Sequence, residues 1–176
     1  MSIMHSSRQD NWGTPKEIVL LARDVLGNIE LDPASNAIAN ETVRARTIFT
    51  EADDGLSKEW FADTVFINPP SGKVGNQSKT VLFWKKLMNE VYTGNIGHAI
   101  FLAFSIEQTQ SSQRKGVPPM LAFPICVPAK RIAFVDPEGL NRQAPSHSNM
   151  IIYVPGSVDR TYKFKEVFSK IGYVKV

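Results

Sequence analysis

An apolar run that ends in an amide and two prolines constrains this chain more than any other stretch. Thr64-Val65-Phe66-Ile67 is followed directly by Asn68-Pro69-Pro70-Ser71-Gly72. A run with almost no polar alternation reads as a strand buried on both faces of a parallel sheet. Proline offers no N–H to a ladder, so Pro69-Pro70 ends the strand and leaves Asn68 at its carboxyl end. Open α/β sheets hold their ligands at that end of their strands. A side-chain amide and the carbonyl of Pro69 would present two acceptors there at fixed geometry, suited to gripping an amino group. The stretch by itself is equally compatible with a strand that merely stops in an Asn-Pro turn.

The flanking chain repeats this arrangement. Residues 1–11 read as a flexible arm. Trp12-Gly13-Thr14-Pro15 then leads into a helix from Lys16, with Ile18, Leu21, Ala22 and Val25 on one face and Gly27 past its end. Thr14 as N-cap, Pro15 at the first helical position and Glu17 three residues after Thr14 predict a capping box. Residues 29–34 form a short strand with Asp32-Pro33 near its end. Residues 35–46 are small and polar and read as a loop with a helical turn. A second β-prone segment covers 46–50, and 51–56 is an acidic turn. Beyond Ser71 the residues of 72–80 make a Gly/Lys-rich loop. A helix over 81–92 turns Phe83, Trp84, Leu87 and Val91 inward, and 99–104 is a buried strand. Residues 105–114 have helical character, 120–127 and 131–135 are strand-like, and 136–146 is a Pro/Gly/Asn loop. Strand 150–154 follows, then an amphipathic tail helix within 158–170, with Tyr162, Val167 and Phe168 inward and Arg160, Lys163, Lys165 and Lys170 outward. Strands alternating with helices and loops favour a mostly parallel sheet.

Composition enters where it excludes. The 176 residues amount to one compact domain, 1–176, and 43% hydrophobic content is enough for an ordinary core. The single cysteine, Cys126, rules out an internal disulfide and reads as a buried, inert thiol suited to a reducing compartment. The three histidines are far apart and give no metal-ligand spacing, and no Gly-Lys-Ser/Thr phosphate loop or Gly-x-Ser-x-Gly elbow is present. No apolar run reaches membrane-spanning length and the first residues lack a signal-peptide core, so the expectation is a cytoplasmic protein with no membrane partner. A net charge of +3 permits a polyanionic partner without demanding one.

Taken in order, these motifs resemble those of amino-group DNA methyltransferases, and in particular the small phage-encoded DNA N6-adenine methyltransferases. Asn68-Pro69-Pro70 resembles their catalytic motif, Trp12-x-Thr14-Pro15 their cofactor-touching opening, and Asp32-Pro33-Ala34 the start of their S-adenosylmethionine motif. Asp54-Gly55-Leu56 resembles the acidic segment beside the cofactor's adenine. Arg131-Ile132-Ala133-Phe134, Pro145-Ser146 and the strand at Met150 match the late part of the pattern. The resemblance covers roughly residues 11–156. It implies a Rossmann-like α/β fold with a late antiparallel strand, S-adenosylmethionine as cofactor, double-stranded DNA as partner and methyl transfer to the N6 amine of adenine. It also implies that Asn68, Pro69, Pro70 and Ser71 form the catalytic segment, that Trp12, Thr14, Pro15, Asp32, Pro33, Ala34 and Asp54 bind cofactor, and that no metal takes part. A phage enzyme would work in the host cytoplasm. Recognition would fall to 72–80, 107–115 and 136–147. Two positions depart from the family pattern. Ser35-Asn36-Ala37-Ile38 replaces a glycine-rich turn, and Ser71 stands where a base-stacking aromatic is usual, leaving Phe83, Trp84 and Phe104 as substitute rings. A catalytically silent binding module of the same fold, and methylation of RNA or of cytosine N4, remain open alternatives at this stage.

Overall fold

The computed structural model describes residues 12–113, 118–136 and 147–176. The N-terminal arm at 1–11, most of the 136–147 loop and the end of the 107–115 segment lie outside the described residues. In chain order the elements are α1 (Lys16–Leu26), β1 (Leu31–Asp32), α2 (Ala37–Val43), β2 (Thr47–Ile48), β3 (Ala62–Ile67), β4 (Lys73–Val74), β5 (Gln77–Ser78), α3 (Lys79–Tyr92), β6 (Ile96–Ala103), α4 (Glu107–Gln113), β7 (Ile125–Pro128), β8 (Met150–Pro155), α5 (Thr161–Phe168) and β9 (Gly172–Lys175).

Seven of the strands form one sheet in the order β2-β1-β3-β6-β8-β7-β9. β2, β1, β3 and β6 are parallel to one another. The late antiparallel strand is β8, which runs against β6 from His98↔Pro155 to Ala103↔Met150. β7 and β9 complete the edge through antiparallel pairs. The parallel half is built as its sequence requires. All eight residues of β6 are buried, as are Thr64 to Ile67 of β3, because helices cover both faces.

The pleat divides the core in two. Phe66, Ile100, Leu102, Ile151 and Tyr153 face the side covered by α1 and α5, through Ile18, Val19, Ala22, Phe164, Val167 and Phe168. Val65, Ile67, Ala99, Phe101, Ala103 and Ile152 face α3, through Phe83, Trp84, Leu87 and Met88. The alternation has period two, so it predicts where the next side chains go. Asn68 follows Phe66, and Phe104 follows Leu102, on the α1 side. Asp32 follows Leu31, which faces α3, and therefore also points to the α1 side.

Several local expectations are corrected. Thr14 does not cap α1. Pro15 is extended, with φ −63° and ψ 146°, so it takes the N-cap position itself, its carbonyl receiving the N–H groups of Ile18 and Val19, and no side-chain cap bond forms. The 72–80 loop contains a small hairpin, β4 against β5, with Gly75 at φ +57° in its turn. Residues 120–122 form a 3-10 turn after Pro118-Pro119, and the strand begins only at Ile125. Residues 131–135 make a single antiparallel bridge, Val135 with Gly13, because Ile132 N–H donates to the Asn149 side chain instead of to a ladder. Tyr162 is 84% exposed, since it sits two residues from Phe164, which places it on the far side of a 3.6-residue helix. β9 has no counterpart among the strands expected from the sequence.

Candidate active site

The carboxyl ends of β1, β3 and β6 lie side by side, and each ends in a side chain aimed at the α1 face: Asp32, Asn68 and Phe104. With strands about 4.8 Å apart, these ends span roughly 10 Å. Together with Trp12, Gly13 and Thr14 ahead of α1, with Pro69, Pro70 and Ser71, and with Phe134, they line one narrow cleft holding about 30 Å³ of free space, room for a single water. Eight of the eleven residues singled out in the sequence therefore meet at one place: Trp12, Thr14, Asp32, Ala34, Asn68, Pro69, Pro70 and Ser71. Pro15 is buried and does not line the cleft. Pro33 and Asp54 line an adjoining open groove of about 850 Å³, which shares Ala34, Asn36 and Pro70 with the cleft.

Asn68 is oriented from a distance. Its Nδ2 donates to the backbone carbonyl of Trp12 at 2.7 Å. A carbonyl only accepts, so the amide nitrogen must take that side and Oδ1 the other. Oδ1 receives no hydrogen bond from any described residue. Trp12 is held in turn through its neighbour: Gly13 N–H donates to Val135 O at 2.7 Å and Val135 N–H to Gly13 O at 2.9 Å. Residues 12–14 thus form a strap across the top of α1 that fixes the amide on β3.

Asp32 is 2% exposed, and its Oδ1 accepts the Ala34 N–H at 3.1 Å. Burial pushes its carboxyl up to about 7, outweighing the Ala34 bond. The Ser35 hydroxyl is near enough to favour the ionised form slightly but meets no partner at hydrogen-bond geometry. Thr14 Oγ1 is likewise buried without a partner. Buried hydroxyls in folded proteins are nearly always satisfied, so these two, Thr14 at the cleft and Ser35 at the adjoining groove, are exceptions that mark the site. The turn after Asp32 has no residue at positive φ, which is why it can dispense with glycine. Asn36 there accepts the Ala39 N–H at 2.9 Å and caps α2.

The groove is shaped by a backbone contact. A Cβ on Gly55 would fall 2.0 Å from Pro33 O, so the 54–56 turn can lie against the β1 turn only with glycine there. Trp60 Nε1 donates to Gly55 O at 2.8 Å and locks the turn from beneath. Asp54, with φ +52°, is exposed on the groove's rim. Phe49, Leu56 and Phe83 supply its apolar walls.

Of the three substitute rings, Trp84 is fully buried, edge-on to Phe101 and Phe123. Phe83 stacks on Trp60 beside the groove. Phe104 alone reaches the cleft of Asn68 and Ser71. Phe134 also lines it; its place in the Arg131–Phe134 motif was the available signal. Among the described residues no cluster of three or more His, Cys, Asp or Glu is placed to hold a metal ion, and no helix is long and apolar enough to cross a membrane.

No protein-family model matches the chain, and no curated protein matches it. Among solved structures it is similar to a Listeria monocytogenes protein assigned to class I of the S-adenosylmethionine-dependent methyltransferases. The TM-score is 0.53 at 13% identity, over 89% of this chain and 64% of that one. The chain thus spans less than two thirds of that protein's length. The fold is the Rossmann-like α/β fold of S-adenosylmethionine-dependent methyltransferases, with its mostly parallel sheet and late antiparallel strand.

Proposed function

We propose that this chain transfers a methyl group from S-adenosylmethionine to the N6 amine of adenine in DNA, as the phage-encoded adenine methyltransferases it resembles would. The observation that carries the reading is the fixed amide of Asn68. With Nδ2 committed to Trp12 O, its Oδ1 is an acceptor that no described residue occupies, at a strand end inside the cleft that holds the Asp32 carboxyl.

The residues fit the cofactor by their chemistry. A ligand with an ammonium group, ribose hydroxyls and a flat heterocycle needs a carboxylate, hydrogen-bonding hydroxyls and apolar walls. Asp32, the unpartnered hydroxyls of Thr14 and Ser35, and the Phe49, Leu56 and Phe83 walls with Asp54 at the rim supply these. Asp32 and Thr14 would hold the methionine end, and the groove the adenosine. When bound, the cofactor supplies an electrophilic methyl on a sulfonium.

The chain's own contribution is to the nucleophile. An exocyclic amine on an aromatic ring is weakly nucleophilic because its lone pair is delocalised. Asn68 Oδ1 and the Pro69 carbonyl would accept its two hydrogens and favour a tetrahedral nitrogen. Those bonds strengthen as charge develops, which is the condition for lowering a barrier. Both acceptors sit on a strand end and its proline turn, so little reorganisation is needed. A base in a duplex must first leave the stack, at a cost of a few kcal/mol. Exposed Lys73 and Asn76 on the β4–β5 hairpin beside the groove suit contact with the sugar-phosphate backbone.

The test is incubation with methyl-labelled S-adenosylmethionine and duplex DNA of varied sequence, followed by nucleoside analysis. The expected product is N6-methyladenine. Folded protein that binds cofactor and forms none would overturn the reading, and N4-methylcytosine, or label appearing only in a parallel incubation with RNA, would redirect it.

A further inference from the structure

Ser71 leaves the Asn68-Pro69-Pro70 turn without a ring, and the missing surface lies on the next strand. Phe104 is the first residue beyond β6. Its ring is only half-buried, whereas Phe101 on the same strand is fully buried. Its backbone is clasped by two side-chain amides from separate elements. Phe104 N–H donates to Gln108 Oε1 at 2.8 Å, and Asn149 Nδ2 donates to Phe104 O at 2.8 Å. Each amide is anchored at its other end. Gln108 Nε2 donates to the buried Thr80 Oγ1 at 3.0 Å, and Asn149 Oδ1 accepts the Ile132 N–H at 3.0 Å. Phe134, at 6.1 Å between centroids, and His147, at 4.5 Å, flank the ring. A strand-end aromatic that packs on the core while facing a cleft, and is held on both backbone sides, is pre-organised for contact.

We infer that Phe104 is the face on which the substrate's planar base stacks, with Gln108 and Asn149 as the positioning residues that hold it. The order of strand ends fixes its side. Asp32 flanks Asn68 through β1 and Phe104 flanks it through β6, so a ring whose amine is gripped by Asn68 meets Phe104 on the side away from Asp32. At about 30 Å³ the cleft must widen to admit a base. This inference rests on the base-methylation reading for the identity of the ligand.

The experiment uses a single-stranded oligonucleotide carrying 2-aminopurine, with the full chain saturated with S-adenosylhomocysteine to keep the probe out of the groove. The probe lacks the 6-amino group, so its affinity reports stacking and not the Asn68 grip. The wild type is expected to give a saturable fluorescence change. Phe104→Ala raises the Kd about tenfold or more, the effect of removing one aromatic–base stack. Phe104→Trp stays near wild type, and Gln108→Ala shows an intermediate loss. The S-adenosylhomocysteine affinity of each variant, measured alongside, confirms that it is folded. Wild-type affinity in Phe104→Ala, or no saturable change with the wild type, overturns the inference. Methyl transfer measured in parallel separates the two readings. Transfer that is indifferent to Phe104→Ala keeps the chemistry and removes this ring. Phe104-dependent binding without transfer keeps the ring and removes the chemistry.

Discussion

Replacing Asp32 by Asn should make the cofactor-free protein more stable, and only above a defined pH. The carboxyl is fully buried and its pKa stands at about 7, against an ordinary 3.8. Each tenfold change in an ionisation constant is worth about 1.36 kcal/mol, so keeping this group ionised in the fold costs about 4 kcal/mol. The sign follows from linkage. Below pH 3.8 the group is protonated in both states and costs nothing. Between 3.8 and 7 the unfolded chain releases the proton and the folded chain retains it, so stability falls as pH rises, and above 7 the full cost is present. The amide introduced by Asp32→Asn would keep the bond from Ala34 N–H through its carbonyl, while its new NH₂ lacks an assured acceptor and returns about 1–2 kcal/mol. The net gain at pH 8 is therefore about 2–3 kcal/mol, or roughly 5–10 °C in Tm for a chain this long. Urea unfolding of both proteins at pH 8 and pH 3.5 measures it. A variant no more stable at pH 8, or an advantage of equal size at pH 3.5, would refute the reasoning. On the proposed function the same variant should bind S-adenosylmethionine more weakly, because the charge that destabilises the empty fold is the one that reading offers to the cofactor.

Three further outcomes are expected. Asn68→Ala should abolish methyl transfer and leave cofactor affinity within about threefold, by calorimetry; Asn68→Asp should lose at least about tenfold in kcat, because a carboxylate cannot donate to Trp12 O and must turn or take up a proton. His98, buried against Tyr153, has its pKa lowered to about 4 by desolvation first, with Arg160 adding to it. It stays neutral in the fold, so its own contribution to stability should be constant above pH 6.5 and fall by at most about 3 kcal/mol between 6.5 and 4, against the opposite trend set by Asp32; in denaturant titrations the stability of wild type relative to His98→Gln should fall over that range and stay level above it. Gly55→Ala must push apart the 54–56 turn and the Pro33 carbonyl, costing about 1–3 kcal/mol as an overpacked contact, and thermal unfolding together with cofactor titration should report both the loss and a weakened groove.

How much of this was legible in the sequence depended on distance along the chain. The strand ending at Asn68 was readable because apolar residues, an amide and two prolines are contiguous. Asp32-Pro33 was readable for the same reason. The Thr14 capping box failed because it turns on one dihedral, ψ of Pro15, which proline's ring does not fix. Tyr162 was misassigned in a helix whose inward face is set by Phe164, Val167 and Phe168. β9 has one buried side chain, Val174, in four residues, too little pattern for a strand to declare itself. The Trp12–Asn68 bond joins residues 56 apart and the Phe104–Asn149 bond residues 45 apart. Nothing local encodes either. Phe104 was one of three eligible rings, and only the pleat parity and the end of β6 single it out.

The tie between Trp12 and Asn68 runs through a main-chain carbonyl, and this governs how the site can be altered by mutation. Every amino acid at position 12 carries that carbonyl, so a substitution scan there reads out only the indole, and a tolerated replacement says nothing about the tie. What disturbs it is a change in the path of the chain: an insertion between Trp12 and Pro15, a proline at Gly13 that removes the N–H given to Val135, or a deletion that begins after residue 12. For anyone engineering this protein, the amide at the centre of the site is addressed through the length of the segment before α1, and a library of side chains would leave that control untouched.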